Sequence, residues 1–320
     1  MAIAIPDVPR RLRRTLLYPF VASGRAALSA LPAPAASRLA DLAAGLAFRL
    51  LPRERQRMAE HLALAFPEKS AADRTAIAEA AFRHFAQVFV ETARLTRLSD
   101  GALADLVRVE DPGGVLDRLT RERSGGLAVT AHLGNWELLA AVCARRGVPV
   151  QVVATRFRDP RVNDLLVELR AASGIRTIQR DEGPRPILRA LREGHVLGIL
   201  IDQDTDVDGC FVPFFGRPAY TTRGPGVLHL ATGATVFTLF CTRQPDGRYL
   251  LEVEPPLPPA PPGLTGPARA AAAEAIVAEC TRRIEAAVRR HPEQWVWWHQ
   301  RWKTTPEGHR SRPDPGRVST

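Results

Sequence analysis

From Gly125 to Ile201 the chain alternates short apolar runs with amphipathic segments, and few folds accommodate that rhythm. The runs 127–131, 148–154, 175–179 and 196–201 are rich in Val, Ile, Leu and Ala, the composition of strands buried on both faces. Between them, 138–145, 161–172 and 185–192 carry apolar residues at helical spacing. Strands separated by single helices form βαβ units, which demand a parallel sheet with helices packed on it. Two more strands are expected at 235–241 and 249–253, with Asp246-Gly247 as the turn. The Pro-rich stretch 255–262 reads as a stiff linker into an Ala-rich helix at about 267–290. Upstream, 37–66 and 70–97 read as two helices, with Pro67 and Ser70 at the break. The expected fold class is α/β: one domain with a mostly parallel central sheet flanked by helices, plus a helical N-terminal extension. The expected organisation is a membrane-proximal extension over 1–100, the α/β domain over 101–307 and a flexible tail over 308–320.

Charge narrows the partners. The chain has 44 Lys+Arg against 34 Asp+Glu, a net +10, and only Lys69 and Lys303 are lysines. The first 60 residues hold ten arginines against four acids. Such a field draws anions, and guanidinium forks match phosphate oxygens in pairs. The apolar stretches 15–24 and 26–37 are divided by Arg25 and interrupted by Pro32 and Pro34. That is too broken for a spanning helix and too short for a signal peptide. It fits a segment lying on an anionic leaflet, or else an ordinary helix pair packed on the domain. The scattered cysteines Cys143, Cys210, Cys241 and Cys280 form no CxxC pair, which fits a reducing compartment and small core residues. Nothing in the sequence calls for a metal.

The chemistry-bearing segment is Val129-Thr-Ala-His-Leu-Gly-Asn-Trp-Glu137, where an apolar strand runs straight into His132. In a continuous helix, five residues turn about 500°, which puts His132 and Glu137 on different faces. They can meet only if His132 sits in a strand-to-helix loop opened by Gly134 and Asn135, with Glu137 in the first helical turn. A carboxylate on one imidazole nitrogen leaves the other free as a base. The bland alternative is a loop histidine beside a glutamate favoured by the helix dipole.

That segment, with others in fixed order, resembles the lipid A biosynthesis lauroyl/myristoyl acyltransferases, a branch of the H-x4-[DE] lysophospholipid acyltransferases. The companions are Ala65-Phe-Pro-Glu68 after the basic Arg53 and Arg57, Thr155-Arg156, Asp202-Gln-Asp204, Phe211-Val-Pro-Phe-Phe-Gly216, Thr221-Thr222 and Pro292-Glu-Gln-Trp-Val-Trp-Trp-His-Gln-Arg-Trp-Lys303. The resemblance runs from about residue 50 to 307. It implies an acyltransferase in which His132 is the general base and Glu137 orients it. It also implies substrate contacts at Asn135, Arg156, Asp202, Asp204, Arg301 and Lys303, and an acyl-chain pocket at Phe211, Phe214 and Phe215. The implied donor is an acyl carrier protein or coenzyme A thioester, with no other cofactor. The implied acceptor is a phosphorylated glycolipid, either a lipid A precursor or another membrane lipid such as a phosphatidylinositol mannoside. The implied place is the cytoplasmic face of a bacterial inner membrane, on an anionic membrane surface. Departures are Thr155 for the usual Tyr, His61 for Asn and Gln300 for the first of two arginines. Four of the five tryptophans lie between Trp295 and Trp302, interleaved with basic residues, a mixture also found in binders of single-stranded nucleic acid. With no helix-turn-helix, zinc-finger or RNA-recognition signature beside it, nucleic acid is not an expected partner.

Overall fold

A computed structural model describes residues 10–310. The first half of the helical region is α1 (Arg10–Ala30), α2 (Ala33–Leu50), α3 (Pro52–Ala65) and α4 (Ala71–Arg94). The single helix expected over 37–66 is therefore two. Pro52 has no N–H to donate and forces the preceding residue out of the helical region, so Leu51 sits at φ −112°, ψ 67° and α3 restarts with Pro52 at its first position. A reciprocal cap between Ser70 and Asp73 starts α4. Its far end holds α1: Arg94 donates to the carbonyls of Leu28 at 2.7 Å and Leu31 at 2.5 Å. Carbonyls at a helix C-terminus have no partner within the helix, and a guanidinium supplies one.

The α/β part opens with α5 (Asp100–Leu106), β1 (Val107–Glu110) and α6 (Val115–Glu122), none of which periodicity had marked. The expected alternation follows as β2 (Gly126–Thr130), α7 (Trp136–Arg145), β3 (Val150–Ala154), α8 (Pro160–Ala171), β4 (Arg176–Gln179), α9 (Pro184–Arg192) and β5 (Val196–Leu200). Then come β6 (Gly209–Phe214), β7 (Arg217–Thr222), α10 (Gly224–Thr232), β8 (Thr235–Arg243), β9 (Tyr249–Val253), α11 (Gly266–Arg290) and α12 (Pro306–Arg310). The expected tail over 308–320 lies from residue 311 onward outside the described residues.

Seven strands make one sheet in the order β1-β9-β8-β2-β5-β3-β4. The five from β8 to β4 are mutually parallel, while β9 pairs antiparallel with β8 and carries β1 parallel to itself. This is the mostly parallel sheet that the alternation required. Every residue of β2 is buried, as a central strand covered on both faces must be. One face packs Leu127, Val129 and Leu197 with α3, α4 and α11; the other packs Ala128, Val150 and Val196 with α6 and α7. All four cysteines are free and buried.

The β6–β7 hairpin stands apart from the main sheet. Its two-residue turn, Phe215-Gly216, has positive φ at both positions (52° and 70°), the geometry that matches strand twist in tight hairpins. A phenylalanine is poorly suited to that conformation, and α11 holds it there. Glu285 accepts from the Phe215 N–H at 2.6 Å, and the Arg289 guanidinium lies 4.4 Å from the ring centroid.

Among the described residues no helix is long and apolar enough to cross a membrane. The apolar character of the extension is placed instead on α2. That helix buries Ala36, Ala40 and Ala44 against the protein, and exposes Leu39, Leu42, Leu46 and Leu50 by 49%, 73%, 58% and 66%. The four leucines recur at three- and four-residue steps, so they form one stripe.

Candidate active site

β2 and β5 are neighbours in parallel register, with Thr130 opposite Leu200. Two residues beyond each end, His132 and Asp202 therefore arrive side by side at the carboxyl edge of the sheet, where open α/β folds place their ligands. Asp202 Oδ1 lies 2.8 Å from His132 Nδ1. Its Oδ2 accepts from the His132 backbone N–H and from the Trp295 indole N–H, both at 2.8 Å. The carboxylate is 3% exposed. Burial by itself would raise its pKa, but the adjacent His132 charge and these hydrogen bonds outweigh it and hold the group at about 2. An ionised Asp202 accepts the Nδ1 proton, which fixes the tautomer and leaves Nε2 with its lone pair.

Glu137 does not make this contact, and the expected His132–Glu137 pairing is corrected here. Glu137 is the second residue of α7 and faces the last turn of α8, where Arg170 donates to both carboxylate oxygens at 3.0 and 2.6 Å. The five-residue separation brings the two side chains into one loop-and-helix unit but turns the carboxylate away from the ring. The neighbour from α7 is Trp136, whose ring meets His132 edge-on at 4.9 Å between centroids.

The loop is pinned from several sides. Asn135 caps α7, accepting from the Leu138 N–H at 2.9 Å, and donates to Glu91 of α4 at 2.9 Å. Its side chain is thus spent on the fold and buried, not presented to a substrate. Glu91 also takes the Tyr249 hydroxyl at 2.5 Å and pairs with Arg243. His84 of α4 sits 3.2 Å from the Gly134 carbonyl oxygen. Burial, with Arg243 adding to it, pushes the His84 pKa down to about 4, so near neutrality it is uncharged and donates its ring N–H. Gly134 has φ +61°, and a Cβ there would stand 2.0 Å from the Cys241 carbonyl oxygen of β8.

The segment 292–304 crosses this edge. Trp295 pairs with Leu133 as an isolated bridge, and Gln294 O accepts from the Gly134 N–H at 2.9 Å. His61, in the position where Asn was expected, reaches the Trp297 carbonyl from α3 at 2.7 Å, so the substitution keeps a donor to this segment. Arg301 is fully buried, donating at 2.6 Å to Tyr220 O and to Thr221 Oγ1, with the Phe214 ring 5.2 Å away. Burial lowers its pKa to about 10, so it stays cationic, helped by Asp202 and Asp204 nearby. It ties the segment to β7 and is not available as a substrate ligand. Asp204 likewise turns inward, accepting from the Thr304 N–H at 2.6 Å and the Thr304 hydroxyl at 3.0 Å.

Two of the expected substrate contacts remain on the surface. Arg156, after β3, is half exposed and pairs with Asp181 at 3.0 Å. Lys303 is exposed. Phe214 and Phe215 pack with Trp295, Trp297 and Trp302 in the core instead of lining a channel, while Phe211 meets Tyr220 edge-on and is half buried. Residues that sequence reasoning assigned no role include Gln203, His299 and Arg170. Gln203 and His299 stood inside quoted motifs. The usable signal for Arg170 was its place in the last turn of α8, one helix beyond Glu137.

Comparison with known proteins is consistent with this architecture. The sequence profile of a family described as bacterial lipid A biosynthesis acyltransferase matches residues 9–304. A lipid A biosynthesis palmitoleoyltransferase of Escherichia coli K12 is 30% identical over 290 residues, covering 88% of this chain and 89% of the relative. A lipid A biosynthesis lauroyltransferase from the same organism is 29% identical over 289 residues, 88% of this chain and 90% of its own length. A phosphatidylinositol mannoside acyltransferase of Mycolicibacterium smegmatis is 25% identical over 227 residues, 70% and 71% of the two chains.

Proposed function

The chain belongs to the bacterial lipid A biosynthesis acyltransferase family, and from that membership we propose that it moves a fatty acyl chain from a carrier thioester directly to a hydroxyl of a phosphorylated glycolipid. His132 is the general base, and Asp202 is the carboxylate that orients it. The observation that carries this reading is the 2.8 Å contact between Asp202 Oδ1 and His132 Nδ1, which leaves Nε2 as the acceptor. The acceptor hydroxyl attacks the thioester carbonyl as Nε2 takes its proton. The carbon–sulfur bond then breaks, and the imidazolium returns that proton to the departing thiolate of acyl carrier protein or coenzyme A. A hydroxyl is a weak nucleophile near pH 7, and such a base is worth about 10²–10⁴-fold. Asp202 stabilises the imidazolium between the two proton transfers. Arg156 and Lys303 are the exposed cations suited to the acceptor phosphates.

The acceptor lipid belongs to a bilayer, so the enzyme works at the cytoplasmic surface of the inner membrane. The leucine stripe of α2, flanked by Arg38, Arg49 and Arg53, supports attachment to an anionic leaflet without a spanning helix. The phosphatidylinositol mannoside relative favours a second acceptor, another phosphorylated glycolipid.

The test is an acyl-transfer assay with acyl carrier protein and coenzyme A donors, on a lipid A precursor and on a phosphatidylinositol mannoside. His132→Ala and Asp202→Asn should each lose about 10²-fold or more. Glu137→Gln should lose less, through its Arg170 contact. Unchanged turnover in His132→Ala and Asp202→Asn would remove the mechanism. Turnover confined to the mannoside would keep the mechanism and replace the acceptor.

A further inference from the structure

His132 is held on more sides than Asp202 and Trp136 account for. The Gln203 amide nitrogen stands 3.0 Å from His132 Nδ1 and 3.0 Å from His132 Nε2. A nitrogen equidistant from both ring nitrogens does not sit on either lone pair; it lies against the ring. The same nitrogen is 2.7 Å from His299 Nε2. His299 belongs to the crossing segment, and its ring centroid is 5.5 Å from that of His132.

The amide nitrogen is the end that faces both rings. Burial, and then the neighbouring His132, push the His299 pKa down to about 4, so near pH 7 its ring is neutral. A neutral ring accepts at Nε2 when its proton is on Nδ1, and the Gln203 N–H₂ has the hydrogen to give. The amide thus presents its positive end to His132. The other titratable and charged groups around this ring are Asp202 after β5, His299 and Arg301 in the crossing segment, His84 of α4 at the Gly134 carbonyl, and Glu137 of α7, which is occupied by Arg170. Asp202 favours a charged imidazole; the amide N–H opposes it.

We propose that Gln203, anchored by His299, is a positioning residue for acyl transfer, clamping the His132 ring with an amide N–H that opposes its protonation. This rests on the assignment of His132 as the base. Gln203 acts through the ring it touches, so its effect is read in the protonation of that ring.

The experiment is an NMR titration of isotopically labelled histidines in the intact protein, paired with pH profiles of kcat/KM. In Gln203→Leu the His132 midpoint should move upward by about half a unit to one unit, the value of one net hydrogen bond. The acid limb of kcat/KM should move with it, and plateau kcat should change only a few-fold. His299→Phe should move the midpoint the same way by a smaller amount. Gln203→Glu keeps the side-chain shape and puts an anion on the ring, so it should move the midpoint further up, and it reports on the clamp even where the leucine variant folds poorly. A midpoint unmoved or lowered in folded Gln203→Leu and Gln203→Glu protein overturns the clamp. Turnover that persists in His132→Ala removes the base assignment, and with it the catalytic purpose of the clamp, whatever the titrations show.

Discussion

Helices α2 and α11 are both rich in alanine, yet they place their large apolar residues on opposite sides. On α11, Ile276, Val277, Ile284 and Val288 point into the core, while Ala268, Ala270, Ala271 and Ala275 face outward. On α2 the buried residues are Ala36, Ala40 and Ala44, packed toward α4, and Leu39, Leu42, Leu46 and Leu50 face out. Burying a leucine yields roughly 1.5–3 kcal/mol, and α11 collects the corresponding yield of its large residues on folding. The stripe on α2 leaves that yield uncollected, available to whatever apolar phase meets it. Small inward residues also let α2 approach α4 closely, so the helix is fixed by fit and by bonds such as Gln87 to Asp41 at 2.7 Å and to the Ser37 carbonyl at 3.0 Å. One helix buries its large apolar side chains in the fold, and the other keeps them on the surface.

The comparison can be broken at three points. Ile284→Ala on α11 should cost about 2–5 kcal/mol, read as a fall in the denaturant midpoint, because it leaves a cavity in the core beside Trp295 and Trp297. A loss below 1 kcal/mol would mean that α11 is no better anchored than α2. The next effect concerns α4, which contacts both α2 and the loop that carries His132. His84 titrates near 4 in the folded protein and near 6.5 when unfolded, so between those values the unfolded chain binds the extra proton. The share of stability that depends on His84 should therefore be complete above about pH 6.5 and fall by up to about 3 kcal/mol on approach to pH 4, in the same window as that of the buried His299. His84→Gln should make the slope shallower without abolishing it, and an equally steep slope in the variant would assign it to His299 and other groups. The smallest effect on stability is expected from Leu42→Glu combined with Leu46→Glu, within about 0.5 kcal/mol of wild type. The same pair should lower partitioning onto anionic vesicles at least tenfold, because each lost leucine contact exceeds the 1.4 kcal/mol that a factor of ten represents. Vesicle binding that is unchanged would free the stripe from any lipid role.

The central strand β2 was legible because burial on both faces writes itself as an unbroken apolar run, and its neighbours were legible through their alternation with helices. β8 and β9 were equally plain, with Asp246-Gly247 turning between them. The pairing of His132 with Asp202 was not legible, although both residues stood out. Their contact depends on β2 and β5 being neighbours, which is a property of strand order, and 70 residues separate them. Glu137 misled for the complementary reason: nearness along the chain said nothing about which way the first turn of α7 would aim it. The tryptophan-rich motif near the C-terminus misled too. Arg301 carries the charge that suits a phosphate, but it spends it inside the protein on Tyr220, Thr221 and the Phe214 ring. The β6–β7 hairpin was hidden because its turn uses Phe215 where glycine or asparagine is the usual cue.

Gly134 has a kinetic consequence. With no room for even a methyl group against the Cys241 carbonyl, and with bonds to Gln294 and Cys241 on either side, the base loop is keyed to the central strands like a tooth to a rack. Such a loop does not open and close as a lid; moving it means shearing the sheet.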